Sequence, residues 1–256
     1  AKELHPNLRK VGIAVPGLYN QQARRVVLST QIPTLVEINL AQLVSEETGL
    51  EVVLENDANA AAFGEYRIGA GRDSGLMFYA TVGQGVGGAL VFNGNLWRGA
   101  SGFAGEFGYI TINEEGMKLE EVASSSSIIR RVKDRLHQDH TSSLFSKECF
   151  TVEDVVKAAN SGDDFAQMML SRTGMFIGIA TASVINLLNV DRVVIGGEVM
   201  EVGQLILDPI IEHAERFSFE PSFETAKIVS AELGHKAGAI GIALLLEETA
   251  NGNLTE

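Results

Sequence analysis

The densest group of residues able to do chemistry is Glu55-Asn56-Asp57-Ala58-Asn59-Ala60-Ala61-Ala62. A carboxylate accepts hydrogen bonds without donating them. Where a strand ends and a helix begins, it can take the proton of a hydroxyl nucleophile. Asn and Asp ahead of an alanine-rich run also cap helices, and both readings stand for Asn56 and Asp57. A second stretch is Val82-Gly83-Gln84-Gly85-Val86-Gly87-Gly88. Bare N–H groups at Gly83, Gly85, Gly87 and Gly88 could cradle phosphate oxygens, or the glycines could serve only a tight turn and close strand packing. Glu106 is the only charge after Arg98 in the small-residue loop Gly99 to Gly108, so it needs solvent or a polar ligand such as a sugar hydroxyl. Gly196-Gly197, closing a strand read over Val190 to Ile195, suits either a nucleotide's base or ribose or plain packing. Glu120, Glu121 and the serines 124 to 127 read as a solvated helix start. His137 and His140 have the spacing of a metal pair but no convincing third ligand.

The elements that position these residues follow from periodicity and punctuation. Leu50 to Leu54 reads as a strand and the alanine run as a helix opening near Ala58, which sets Asn56 and Asp57 where open α/β sheets bind ligands. Upstream, Arg9 to Val15 reads as a central strand stopped by Pro16-Gly17. Residues 21 to 37 read as irregular, and Asn39 to Glu47 as an amphipathic helix closed by Gly49. The alternation to about Gly69 is a βαβ signature. Leu76 to Thr81, Ala89 to Phe92 and Asn95 to Arg98 form a β-meander with an Asn93-Gly94 hairpin cue. Tyr109 to Ile112 alternates as a strand, and Leu119 to Leu136 reads as a helix entered through the serine run. Thr151 to Asp154 has capping-box spacing for a helix to Asn160. Asp163 to Asn189 is a long apolar helix expected to break near Gly174 or Gly178. A strand to Ile195, a helix from Glu198 to His213, a strand from Ala226 to Ser230 and a helix from Ala237 to Glu248 complete the order, with a frayed polar tail from Ala250.

Composition narrows the class. The 256 residues suffice for one large or two modest domains with buried cores. A net charge of −13 argues against a broad phosphate-backbone footprint. The single Cys149 excludes an internal disulfide framework and any zinc site built on several thiolates. No stretch approaches the ~20 apolar residues of a spanning helix, and no basic-then-apolar leader is seen, so no membrane association and a cytoplasmic location are expected. The opening Ala1-Lys2-Glu3-Leu4-His5-Pro6, without an initiator Met, reads as the continuation of something longer.

Taken together, Val11-Gly12-Ile13-Ala14-Val15-Pro16-Gly17, Leu54 to Ala60, Gly83 to Gly88, Gly102-Phe103-Ala104-Gly105-Glu106-Phe107-Gly108 and Val194-Ile195-Gly196-Gly197 resemble the ROK family (repressor, open reading frame, kinase) in order and spacing. The resemblance implies an α/β, ribonuclease H-like (actin-like ATPase) fold with two lobes around a cleft: 1–64 plus 240–256 as the smaller, N-terminally incomplete lobe, and 65–239 as the larger. It implies transfer of the ATP γ-phosphoryl group to a hexose or N-acetylhexosamine, with Asp57 as general base. Asn56, Glu106 and Glu120 would contact the sugar, Gly83, Gly85, Gly87 and Gly88 the phosphates, and Gly196 and Gly197 the adenosine side. ATP and Mg²⁺ are the implied cofactors and a homodimer the implied assembly.

Three departures qualify the resemblance. Tyr109 stands where the family has a His that contacts sugar and zinc. The short Asn113 to Lys118 replaces the cysteine loop, so no structural zinc is expected. The N-terminal Asp-x-Gly-Gly-Thr phosphate turn is missing, and about one β-hairpin unit and a helix should precede Ala1. The alternative reading is the non-catalytic sugar-sensing domain of a repressor, with nucleic acid as partner only if a further N-terminal domain supplies the contact.

Overall fold

The computed structural model describes residues 7–21, 23–137 and 140–250. The expected chain opening, the tail beyond Ala250 and the centre of the His137–His140 pair lie outside them. The apolar run after Arg9 forms β1 (Lys10–Val15), and Gly17 turns the chain at φ +109°. Two short strands follow, β2 (Leu18–Asn20) and β3 (Arg25–Leu28), paired antiparallel. Residues 21 to 37 are thus not irregular throughout, since β3 and a 3-10 turn over Pro33–Val36 occupy part of them. The hairpin leaves little trace in the sequence because its strands are three and four residues long and its turn uses no glycine. Arg24 takes φ +51° there, and Asn20 Oδ1 accepts from Ala23 N–H at 2.8 Å.

Helix α1 (Leu40–Thr48) is capped by the Asn39 side chain and stopped by Gly49 at φ +66°. Strand β4 (Glu51–Asn56) then pairs parallel with β1 from Lys10↔Glu51 to Val15↔Asn56. Its end runs straight into α2 (Asp57–Ile68).

The larger sheet is built from β5 (Leu76–Val82), β6 (Val86–Phe92), β7 (Asn95–Trp97) and, much later in the chain, β8 (Arg192–Gly196) and β9 (Lys227–Ser230). Its order is β7-β6-β5-β8-β9, with an antiparallel meander on one side of β5 and two parallel strands on the other. Between the two halves lie α3 (Glu120–Ala123), α4 (Ser125–Leu136), α5 (Val152–Asn160) and α6 (Asp164–Leu188). Helices α7 (Gln204–Phe217), α8 (Glu220–Thr225) and α9 (Ala237–Ala250) complete the chain.

Strand alternation sorts the core between the two faces of this sheet. Phe78, Ala80, Val82, Leu90, Val193 and Ile195 point to the side covered by α4 to α7, whereas Met77, Tyr79, Ala89, Val91 and Val194 face α2 and α9. Helices α2 and α9 cross closely through small residues. A Cβ on Gly241 would lie 1.6 Å from Ala60 O.

Two helices depart from expectation. The span Leu119 to Leu136 is split at Ser124, whose backbone is extended (ψ 154°) and whose hydroxyl donates to Ser127 Oγ at 2.9 Å. Helix α6 runs unbroken through Gly174 and Gly178. These glycines admit α7 instead, since a Cβ on them would lie 2.7 Å from Ile206 O and 2.6 Å from Ile210 O. By length and composition α6 is apolar enough to cross a membrane, contrary to the sequence reading, but 61% of its most apolar window is buried against the rest of the protein.

Candidate active site

The β4–α2 corner separates two tasks that the sequence left merged. Asn56 is the helix cap: its backbone is extended, and its Oδ1 accepts from Asn59 N–H at 3.0 Å. Its Nδ2 donates to Gly17 O at 2.8 Å, tying the end of β4 to the turn after β1, and more weakly to Asp57 Oδ1 at 3.3 Å. Asp57 is therefore not needed to cap. It occupies the first helical position, accepts from Ala58 N–H at 2.9 Å through the same Oδ1, and lines a cavity. Burial pushes its carboxyl above the usual carboxylate range, partly opposed by the backbone N–H groups that reach it.

Glu55, one residue earlier, is a component the sequence reading passed over. It is buried, with Oε2 accepting from Arg98 Nε at 3.1 Å and Nη2 at 2.7 Å, and Oε1 accepting from Asn56 N–H at 3.0 Å and Asn59 Nδ2 at 2.9 Å. The signal available was a charge at the end of an apolar strand, matched by a lone Arg at the start of the Gly99 to Gly108 loop. This pair ties the Asp57 corner to the loop that carries Glu106.

The cavity has a volume of about 700 Å³. Asn56, Asp57, Glu106, Glu120, Gly83, Gly85, Gly87 and Gly88 all line it, together with Gly17, Thr30, Gln31, Thr81, Phe103 and Tyr109 among others. Among the described residues its wall holds three carboxylates and no Lys, Arg or His. Glu106 precedes a 3-10 turn over Phe107–Tyr109, anchored by fully buried Phe107 edge-on to Phe78 at 5.1 Å. Burial, and then the neighbouring Glu120, raise the Glu106 carboxyl above its ordinary value. Glu120 Oε2 accepts from Val86 N–H at 2.9 Å and so braces the turn between β5 and β6, while Gly83 O accepts from Ser125 N–H at 2.7 Å. None of the four loop glycines 83, 85, 87 and 88 has a positive φ; close approach accounts for Gly88 but not for Gly83, where the nearest atom to a Cβ would be 3.7 Å away. At Gly88 a Cβ would lie 2.8 Å from Gly105 O.

Gly196 and Gly197 lie outside this cavity. Gly197, at φ +100°, rests on β5, where a Cβ would meet Val82 O at 2.2 Å, and Gly196 faces the Tyr79 hydroxyl. The next residue, Glu198, accepts a short hydrogen bond from Ser125 Oγ beside Gly83. Tyr109 to Ile112 does not form the expected strand. Tyr109 belongs to the 3-10 turn and only Thr111 pairs, with Lys118, because the chain reverses at once through Asn113 to Gly116. Lys118 Nζ sits 3.9 Å from the centre of the Tyr109 ring. Among the described residues no group of three or more His, Cys, Asp or Glu is placed to hold a metal ion.

The sequence model of the ROK family matches residues 1–249. A glucokinase of Halalkalibacterium halodurans is 35% identical over 96% of this chain and 79% of its own length. A ROK family glucokinase from Streptomyces griseus, solved with glucose and AMPPNP, superposes with a TM-score of 0.84 at 30% identity, over 96% of this chain and 83% of that one. A ROK family transcriptional regulator, a homolog of the E. coli MLC protein, gives the same TM-score at 28% identity, over 96% and 64%.

Proposed function

The chain belongs to the ROK family and has the actin-like ATPase fold, and from that premise we propose that its cavity is the acceptor site of an ATP-dependent sugar kinase. The observation that carries this reading is the division of labour at the β4–α2 corner: Asn56 caps the helix, which leaves the carboxylate of Asp57 facing the cavity. In the proposed reaction Asp57 takes the proton of the attacking hydroxyl of a hexose or N-acetylhexosamine as the γ-phosphoryl group of ATP is transferred. Burial raises its affinity for protons above that of an ordinary Asp, which strengthens it as a base. Asn56, Glu106 and Glu120 are assigned to the sugar's other hydroxyls, which a wall of acceptor oxygens suits. Gly83, Gly85, Gly87 and Gly88 are assigned to the phosphates, and Gly196 and Gly197 to the adenosine side.

Three carboxylates without a basic side chain would repel a bare triphosphate. The charge balance therefore calls for Mg²⁺ bound to the ATP phosphates, where it would neutralise charge on the transferring group. With no three-ligand cluster among the described residues, we take the ion to enter as MgATP. Residues 1–64 with 240–256 and residues 65–239 are proposed as the lobes flanking the cleft. A cytoplasmic homodimer is the expected working state, on the ground of family membership.

A second reading, a sugar-sensing domain without transfer, is favoured by the likeness to the ROK family transcriptional regulator. Nucleic acid would then be a partner only through a further segment. Release of ADP, measured over a panel of hexoses and N-acetylhexosamines with MgATP, separates the two. Sugar-dependent turnover supports the kinase. Sugar binding by calorimetry without turnover supports the sensor and defeats the kinase reading.

A further inference from the structure

Both ends of one short hairpin stand in the cavity wall, Tyr109 after Glu106 and Glu120 at the start of α3. Between them the chain is closed by Ile112 N–H to Met117 O at 2.9 Å, Leu119 N–H to Ile110 O at 2.9 Å and the Thr111–Lys118 bridge. Ile110, Ile112 and fully buried Leu119 fasten its apolar side to the main core. Its other side carries a contact that the phosphoryl-transfer chemistry does not use, the Lys118 ammonium 3.9 Å from the centre of the Tyr109 ring. The Lys118 backbone is itself fixed, its N–H donating to Glu121 Oε2 at 2.9 Å. Tyr109 is 57% exposed, so packing alone does not hold its ring, and the cation over the ring face supplies the missing restraint.

We propose that Lys118 is a positioning residue for the acceptor: its ammonium holds the Tyr109 ring as an apolar part of the cavity wall that also carries the carboxylates assigned to the sugar's hydroxyls. The inference rests on the sugar-binding reading above. A pyranose presents C–H faces and a hydroxyl edge, and a pocket with an aromatic wall and a few converging acceptors matches both. Lys118 does not touch the reacting atoms and acts through Tyr109 alone.

Lys118→Met keeps the length of the side chain and removes its charge. With D-glucose as the probe, the KM for sugar, or the calorimetric Kd where there is no turnover, rises about two- to fivefold, the range of an exposed cation–π contact. The KM for ATP and kcat at saturating sugar stay at the wild-type values. Lys118→Arg restores the sugar value, because a guanidinium stacks on an aromatic face. In a Tyr109→Leu background, Lys118→Met adds nothing, as expected for two residues that share one contact. An unchanged sugar constant in Lys118→Met, a failure of Lys118→Arg to restore it, or equal losses toward sugar and ATP would each overturn the proposal. Wild-type protein that neither binds nor phosphorylates D-glucose or any other hexose of the panel removes the sugar reading itself, and this inference falls with it.

Discussion

Replacing Asp57 by Asn tests the proposed chemistry with little change of shape. Asn at the first position of α2 can still accept from Ala58 N–H, and the cap survives because Asn56 supplies it. What is lost is the proton acceptor. General-base assistance contributes about 10²- to 10⁴-fold in rate, or about 2.7 to 5.4 kcal/mol of barrier, so kcat should fall by that factor. The pH profile adds a second readout. The base must be ionised, so wild-type kcat/KM should rise with pH through an apparent pKa above the ordinary Asp value, and this acid limb should vanish in Asp57→Asn. Stability should move the other way from activity. A folded-state pKa raised above the unfolded value means that the contribution of Asp57 to stability is intact below the unfolded pKa and lost as pH rises through the folded one. Removing the charge should therefore raise or preserve Tm at pH 7, less about 0.3 to 1 kcal/mol of lost helix-dipole interaction, and the gain should fade at acid pH. Coupled ADP-release kinetics and thermal unfolding at several pH values measure all of this. An Asp57→Asn enzyme within tenfold of wild type, or one that keeps the acid limb, would refute the assignment.

Other parts of the structure make independent predictions. Arg98→Met strands the buried Glu55 carboxylate and should cost about 3 kcal/mol, at the low end for a broken buried pair because Arg98 is partly exposed. The matching fall in Tm is about 6 to 12 °C, most of which Glu55→Gln should return in the double variant, and a neutral Arg98→Met would show that the pair does not hold the corner. Gly241→Ala forces α9 off Ala60 O and should cost about 3 kcal/mol or more by thermal unfolding, with activity falling because α2 carries Asp57. EDTA should leave Tm unchanged while turnover stops and returns with added Mg²⁺; a lower Tm in EDTA would reveal a structural ion.

The β4–α2 junction, α1 with its Gly49 stop, the capping box at Thr151 and the strands of the larger sheet were legible because each rests on a local rule: alternation, capping or a glycine stop. The rest depends on contacts distant in sequence. Whether Gly174 breaks a helix or admits a neighbour is decided by α7, some thirty residues on; the β2–β3 hairpin is the exception, its turn being local, with Arg24 at positive φ and Asn20 Oδ1 accepting from Ala23 N–H. At the site, Asn56, Asp57, Glu106, Glu120 and the four loop glycines were named from sequence and share one cavity. Their supports were not visible, because the Glu55–Arg98 pair and the Glu120–Val86 brace each span more than thirty positions.

These supports bear on the choice between kinase and sensor. A sensor needs its helix capped and its sugar hydrogen-bonded, and both are met without a carboxylate at position 57, since Asn56 caps and an amide there could bind a hydroxyl. A carboxylate at that place, buried enough to bind protons more tightly than usual, is a cost to the folded state at neutral pH that neither task requires. Proton removal does require it. The Asp57→Asn variant should therefore keep its calorimetric Kd for sugar within a few-fold while losing turnover. Equal loss of binding and turnover would mean that Asp57 serves recognition alone, which is the sensor's requirement and not the kinase's.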